Sequence, residues 1–96
     1  MIDPATAARP LAGRHAIVTG ASRGIGLAVV RELARLGADI TLMARDVGSI
    51  AANRDEVAQA HGVKANALVC DVSNEASVEA AFEQAVKGLG KPHILV

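Results

Sequence analysis

Four short apolar runs, the first three each followed by a longer segment of helical period, set what this chain can fold into. The runs are His15 to Thr19, Asp39 to Ala44, Ala67 to Cys70 and His93 to Val96. Strands that are apolar almost throughout are buried on both faces, and a helix between successive strands provides a parallel crossover. The pattern therefore predicts an α/β fold, a parallel sheet covered by helices on both sides. The first helix is expected from Gly24 to Leu36, with Ile25, Val29, Leu33 and Leu36 inward, Arg31, Glu32 and Arg35 outward, and Gly37 as its terminating glycine. A second, with a weak apolar face, runs from Val47 to His61 and stops at Gly62. The third is expected to start at a Ser73 N-cap and to place Val78, Phe82, Ala85, Val86 and Leu89 on one stripe until Gly88, Gly90 and Pro92 break it. Residues 1–12 hold two prolines and no period, and are expected as a loose arm before a single domain over residues 13–96.

A doubly wound sheet of the Rossmann type places strands two and three on one side of strand one and strand four on the other. A crevice then opens at the carboxyl ends of strands one and four, where the order reverses. Chemistry is expected at the strand ends Thr19-Gly20, Ala44-Arg45 and Cys70-Asp71.

Composition narrows the function further. Ten Lys+Arg balance ten Asp+Glu, and one Phe is the only aromatic residue of Phe, Trp and Tyr. Neither an electrostatic footprint for nucleic acid nor stacking platforms for bases are present, so nucleic-acid binding is not expected. No apolar run approaches the roughly 20 residues that span a bilayer. One cysteine excludes an intrachain disulfide, and the N-terminal residues show no charged-then-apolar leader pattern, so a reducing cytoplasm is the expected compartment. His15, His61 and His93 have no metal-ligand spacing, and no metal is expected. Asp55, Glu56, Glu75, Glu79 and Glu83 are expected on solvated helix faces, and Cys70 as a small buried strand residue.

The turn after strand one is Thr19-Gly20-Ala21-Ser22-Arg23-Gly24-Ile25-Gly26. Its G-x-x-x-G-x-G spacing is neither a P-loop, which would end in Gly-Lys-Ser/Thr, nor G-x-G-x-x-G, since Val29 stands where the last Gly belongs. Its physics still suits a phosphate. Gly20 can take the positive φ of a tight turn, Gly24 lets a ligand approach bare backbone, and Gly26 allows close helix-to-strand packing. The helix start offers unpaired N–H groups and partial positive charge, and Ser22 adds a hydroxyl. The bland alternative is a plain strand-to-helix turn, for which three glycines in seven residues would be a needless cost to the helix.

TGASRGIG closely resembles the TGxxxGIG signature of the short-chain dehydrogenase/reductase family, and the resemblance extends from about residue 13 to 96. It implies a nicotinamide dinucleotide with its pyrophosphate at Gly20 to Gly26 and its nicotinamide near Ile25. The extended branch of that family carries TGxxGxxG, which is not matched here.

An NAD-preferring site wants an acid at the end of strand two for the ribose 2′-hydroxyl. By the family's pattern that position is Ala44, which cannot serve. Arg45 follows it and Arg23 lies on the facing turn, and two guanidiniums suit a 2′-phosphate. This favours NADP over NAD, the alternative being two solvated arginines with Arg45 paired to Asp46. The family carries Asp-Val at positions 71 and 72, which implies an adenine contact for Asp71 and Val72. Asp71 also suits the first turn of helix three as an acid.

The resemblance implies reversible hydride transfer between NADP(H) and a carbonyl/alcohol substrate, a 3-oxoacyl thioester or a ketone. It also implies a homotetramer or homodimer. Its catalytic Ser and Tyr-x-x-x-Lys come after an Asn-Asn-Ala-Gly stretch that would follow strand four. The 96 residues contain no Tyr, so no catalytic residue is assigned and the chain is expected to be the amino-terminal part of a larger enzyme. The alternatives are a non-catalytic dinucleotide-binding module and an assembly fragment.

Overall fold

The computed structural model describes residues 9–96. In chain order the elements are β1 (His15–Thr19), α1 (Gly24–Arg35), β2 (Asp39–Ala44), α2 (Val47–His61), β3 (Ala65–Val69), α3 (Glu75–Leu89) and β4 (Ile94–Leu95). The strands form one sheet in the order β3-β2-β1-β4, every pair parallel. This is the expected doubly wound arrangement.

Side chains alternate across β1 with period two. Ala16 and Val18 face α1 and α2, packing with Ile40, Leu42, Val30, Ala34, Ile50 and Val57. Ile17 faces the other way and packs with Met43, Cys70, Ala81 and Ala85 under α3. Ile17, Ile40, Leu42, Met43 and Ile50 are fully buried, each worth about 1.5–3 kcal/mol relative to exposure.

His15 stitches the amino ends of the strands. Its Nε2 lies 2.7 Å from Thr41 Oγ1 on β2 and its Nδ1 2.9 Å from the carbonyl oxygen of Gly90, after α3. Its backbone N–H donates to His93 Nδ1 at 3.1 Å, while the His93 N–H donates to the His15 carbonyl at 2.8 Å.

Several expectations are corrected. β3 starts at Ala65, not Ala67, and ends at Val69, because backbone pairing from Ile40↔Ala65 to Ala44↔Val69 defines it. Cys70 lies just past the strand, though its N–H still donates to the Ala44 carbonyl at 2.9 Å. β4 proper is Ile94–Leu95, and the flanking His93 and Val96 of the expected run also bond to β1 through their backbone. α3 is capped by Asn74, whose side chain accepts from the Ser77 N–H at 3.1 Å, because Ser73 is engaged with Asp71 instead. α3 also runs through Gly88 to Leu89, and its Val86 is exposed while the small Ala81 and Ala85 are buried.

In α1 the buried residues are Val30 and Ala34, with Leu36 the C-cap and Ile25 85% exposed. Val29 and Leu33 of the expected stripe pack half-buried against the core beside Val30 and Ala34, and only Ile25, at the helix start, stands away from it. The expected arm lies outside the described residues over 1–8. Leu11, further along, donates its N–H to the Leu36 carbonyl at 2.9 Å and packs against the core.

Candidate functional site

The glycine-rich turn takes its shape from two left-handed residues, Gly20 and Gly24, both at φ 61°. A side chain there would be strained, yet a Cβ at either would meet nothing within 4 Å, so this backbone faces open space. The Ala21 N–H donates to the Met43 carbonyl at 3.1 Å, which anchors the turn to the end of β2. Gly26 closes it: a Cβ there would overlap the Gly20 carbonyl, so the close approach is to the turn itself and not to the strand.

The start of α1 differs from the starts of the other helices. Its N-cap is Arg23, which makes no side-chain capping bond. α2 and α3 are capped by the side chains of Asp46 and Asn74. The first N–H groups of α1 therefore remain available to an anion, with the helix dipole behind them.

Beside this turn a crevice of about 330 Å³ lies over the carboxyl ends of β1, β2 and β3. Of the residues the sequence pointed to, Gly20, Ser22, Ala44, Arg45 and Val72 line it. Arg23, Gly24, Ile25, Gly26 and Asp71 do not, the first four continuing the turn into α1. No β4 residue lines it, so the concavity sits over the β1-β2-β3 ends and not over the expected β1–β4 boundary.

Arg45 and Arg23 are both exposed, and among the described residues neither forms an ion pair. The alternative of an Arg45–Asp46 pair is not realised, because the Asp46 carboxylate accepts the Gly48 N–H at 2.9 Å as the cap of α2.

Asp71 is engaged locally. Its Oδ1 accepts the Ser73 hydroxyl at 2.7 Å and the Ser73 N–H at 3.0 Å. These bonds hold its carboxyl below the ordinary value of 3.8, with Arg45 adding a smaller attraction and burial opposing it. The attraction places Arg45 and Asp71 in one electrostatic neighbourhood at the rim. The first-turn reading of Asp71 is not met: α3 is capped by Asn74 and the acid of its first turn is Glu75, because the Asp71–Ser73 bonding moves the helix start past Ser73.

Sequence reasoning missed Asp46 and Ser49 in the crevice wall, while Cys70, at an expected strand end, also lines it. Ser49 lies in the first turn of α2, directly after the Arg45-Asp46 strand end, and that position is the signal that could have found it. It also missed Asn53, whose Nδ2 donates to the carbonyls of Ser22 at 3.0 Å and Ala21 at 3.3 Å. No ligating group of three or more His, Cys, Asp or Glu occurs among the described residues, nor a helix long and apolar enough to cross a membrane.

The comparisons with known proteins agree with this geometry. The family model described as short chain dehydrogenase matches residues 14–96. The chain is 45% identical over 86 residues to the 3-oxoacyl-(acyl-carrier-protein) reductase of Pseudomonas aeruginosa, covering 90% of this chain and 34% of that protein. Among solved structures, the L-sorbose reductase of Gluconobacter frateurii complexed with NADPH and L-sorbose matches at TM-score 0.85 and 33% identity, covering 88% of this chain and 32% of that one. A metagenomic short-chain oxidoreductase in complex with NADP matches at TM-score 0.82 and 40% identity, covering 88% of this chain and 38% of that one. The chain thus spans about a third of the length of the first curated relatives it matches. With the parallel sheet, the glycine turn and a match over nearly all the described residues, the chain belongs to the short-chain dehydrogenase family.

Proposed function

We propose that this chain forms the dinucleotide-binding part of an NADP-dependent oxidoreductase acting on a carbonyl/alcohol pair. The observation that carries the reading is the uncapped start of α1, set behind Gly20 and Gly24 and beside a crevice whose strand-end position is Ala44, followed by an unpaired Arg45. The residues fit the cofactor. Gly20, Gly24 and Gly26 present bare backbone and N–H groups to a pyrophosphate. Ser22, Arg23 and Arg45 receive the 2′-phosphate, Ala44 leaves it room, and Asp71 and Val72 border the adenine. Exposed Ile25 lies toward the nicotinamide. A bound nicotinamide supplies the hydride, while these residues bind and orient it.

None of them is proposed as catalytic. The identity to a 3-oxoacyl reductase supports a 3-oxoacyl thioester as substrate, with a simple ketone as the other candidate of the same chemistry. A homo-oligomer in the cytoplasm completes the reading.

Dissociation constants for NADPH and NADH, measured on the intact protein by fluorescence titration, test it. NADPH should bind tighter by about tenfold or more, equivalent to about 1.4 kcal/mol. Equal or tighter NADH binding overturns the assignment to NADP.

A further inference from the structure

We propose that Asn53 is a positioning residue that sets the spacing between the two arms of the 2′-phosphate site, and through it the preference for NADPH over NADH. This rests on the reading that Ser22 and Arg23 on the turn and Arg45 before α2 receive that phosphate.

Asn53 lies on the inward face of α2 between the two buried residues of that helix, Ile50 and Val57. A leucine would be the ordinary occupant of such a position. Instead, the half-buried carboxamide directs its Nδ2 at two backbone carbonyls, Ser22 at 3.0 Å and Ala21 at 3.3 Å, across 31 and 32 residues of sequence. An amide nitrogen has two hydrogens, one for each carbonyl.

Because each peptide is planar and trans, fixing these carbonyls toward α2 fixes the N–H groups of Ser22 and Arg23 in the opposite direction. The same bonds fix the distance from the turn to the start of α2, where Arg45 and Ser49 stand. Near this arm the turn is also tied by one backbone bond, from the Ala21 N–H to the Met43 carbonyl at 3.1 Å, which reaches the end of β2 but not α2. α2 buries only two side chains, and its other polar tie, Arg31 to Glu56 at 3.1 Å, joins half-exposed groups, for which about 0–1 kcal/mol is usual.

Both dinucleotides share the pyrophosphate, so a general loosening of the turn weakens both. The 2′-phosphate alone, unlike the 2′-hydroxyl, has to be reached by the Ser22–Arg23 and Arg45 arms together, so their separation bears on NADPH and not on NADH. The NADPH/NADH affinity ratio therefore isolates the proposed role from a merely structural one.

The experiment measures both dissociation constants on the intact protein as wild type, Asn53→Leu, Asn53→Gln and Glu56→Gln. Asn53→Leu, close in size but unable to donate, should lower the ratio by about tenfold. Asn53→Gln, which keeps the carboxamide, should recover part of it, and Glu56→Gln should leave it unchanged. If Asn53→Leu fails to fold, Asn53→Ala takes its place. A ratio unchanged by loss of the carboxamide overturns the proposal, whatever happens to thermal stability, and so does an equal fall in Glu56→Gln. A wild-type protein without NADPH preference fails the underlying reading instead, and is recognised before any variant is made.

Discussion

The Cα of Gly26 sits so close to the carbonyl oxygen of Gly20 that a side chain at position 26 would overlap it. Both partners are backbone, and the next atoms in reach, Gly20 C and Ala21 Cα, are backbone as well. Nothing there can rotate away. Gly26→Ala should therefore push the turn off β1, costing about 1–3 kcal/mol as overpacking does. Denaturant unfolding should show that loss, and dinucleotide titration a fall in affinity for NADPH and NADH together.

The same substitution at Gly88 should behave differently. A Cβ there would meet Asn66 Nδ2, the end of a half-buried side chain that can swing aside. Gly88 also lies inside α3, where alanine is favoured over glycine by about 0.5–1 kcal/mol. Gly88→Ala should change stability by less than about 1 kcal/mol, well short of the Gly26→Ala loss. A Gly88→Ala protein as destabilised as Gly26→Ala would show that Asn66 is held rigidly.

The contrast between these glycines bears on what the sequence could tell. β1 and β2 were legible to the residue because they are central strands with an unbroken or nearly unbroken buried run between clear turn signals. β3 was not, because it is an edge strand whose first residues, Ala65 and Asn66, join through backbone pairing that leaves no apolar pattern. The start of α3 turned on two adjacent cap formers, and the capture of Ser73 by Asp71 decided for Asn74. In the site, the turn was legible from its glycines, whose conformational demands are local. Asn53 was not, since a carboxamide on a helix face acquires meaning only when the fold sets it opposite Ala21 and Ser22.

His15 joins three elements while only 2% exposed. A carbonyl can only accept, so in the neutral ring Nδ1 donates to Gly90 and Nε2 accepts a hydrogen bond from the Thr41 hydroxyl. His15→Leu removes both bonds and leaves the fully buried Thr41 hydroxyl without this partner, at a cost of about 1–3 kcal/mol. Thr41→Val in the same chain removes the orphaned hydroxyl. The double variant should lose less than the sum of the two single losses, with a coupling of about 0.5–3 kcal/mol in denaturant unfolding. Strict additivity would show that the His15–Thr41 bond contributes nothing.

Asp71 carries the pH dependence of the site rim. In the folded chain its carboxyl titrates below the ordinary 3.8, chiefly because the Ser73 hydroxyl and N–H donate to it, and to a smaller degree because of Arg45. A depressed carboxyl binds its proton less readily folded than unfolded, so its contribution to stability is complete above the unfolded value. That contribution is lost as the pH falls through the lowered folded value, placing the effect on the acid side of 3.8. Ser73→Ala deletes the hydroxyl donor and should move the carboxyl back up toward its ordinary value, followed by carbon-detected NMR titration. Arg45→Ala should move it in the same direction by less, since the hydrogen bonds lead and the charge follows. A larger shift in Arg45→Ala than in Ser73→Ala would mean that the guanidinium pairs with Asp71 in solution and is less free for a phosphate than the geometry of the crevice indicates.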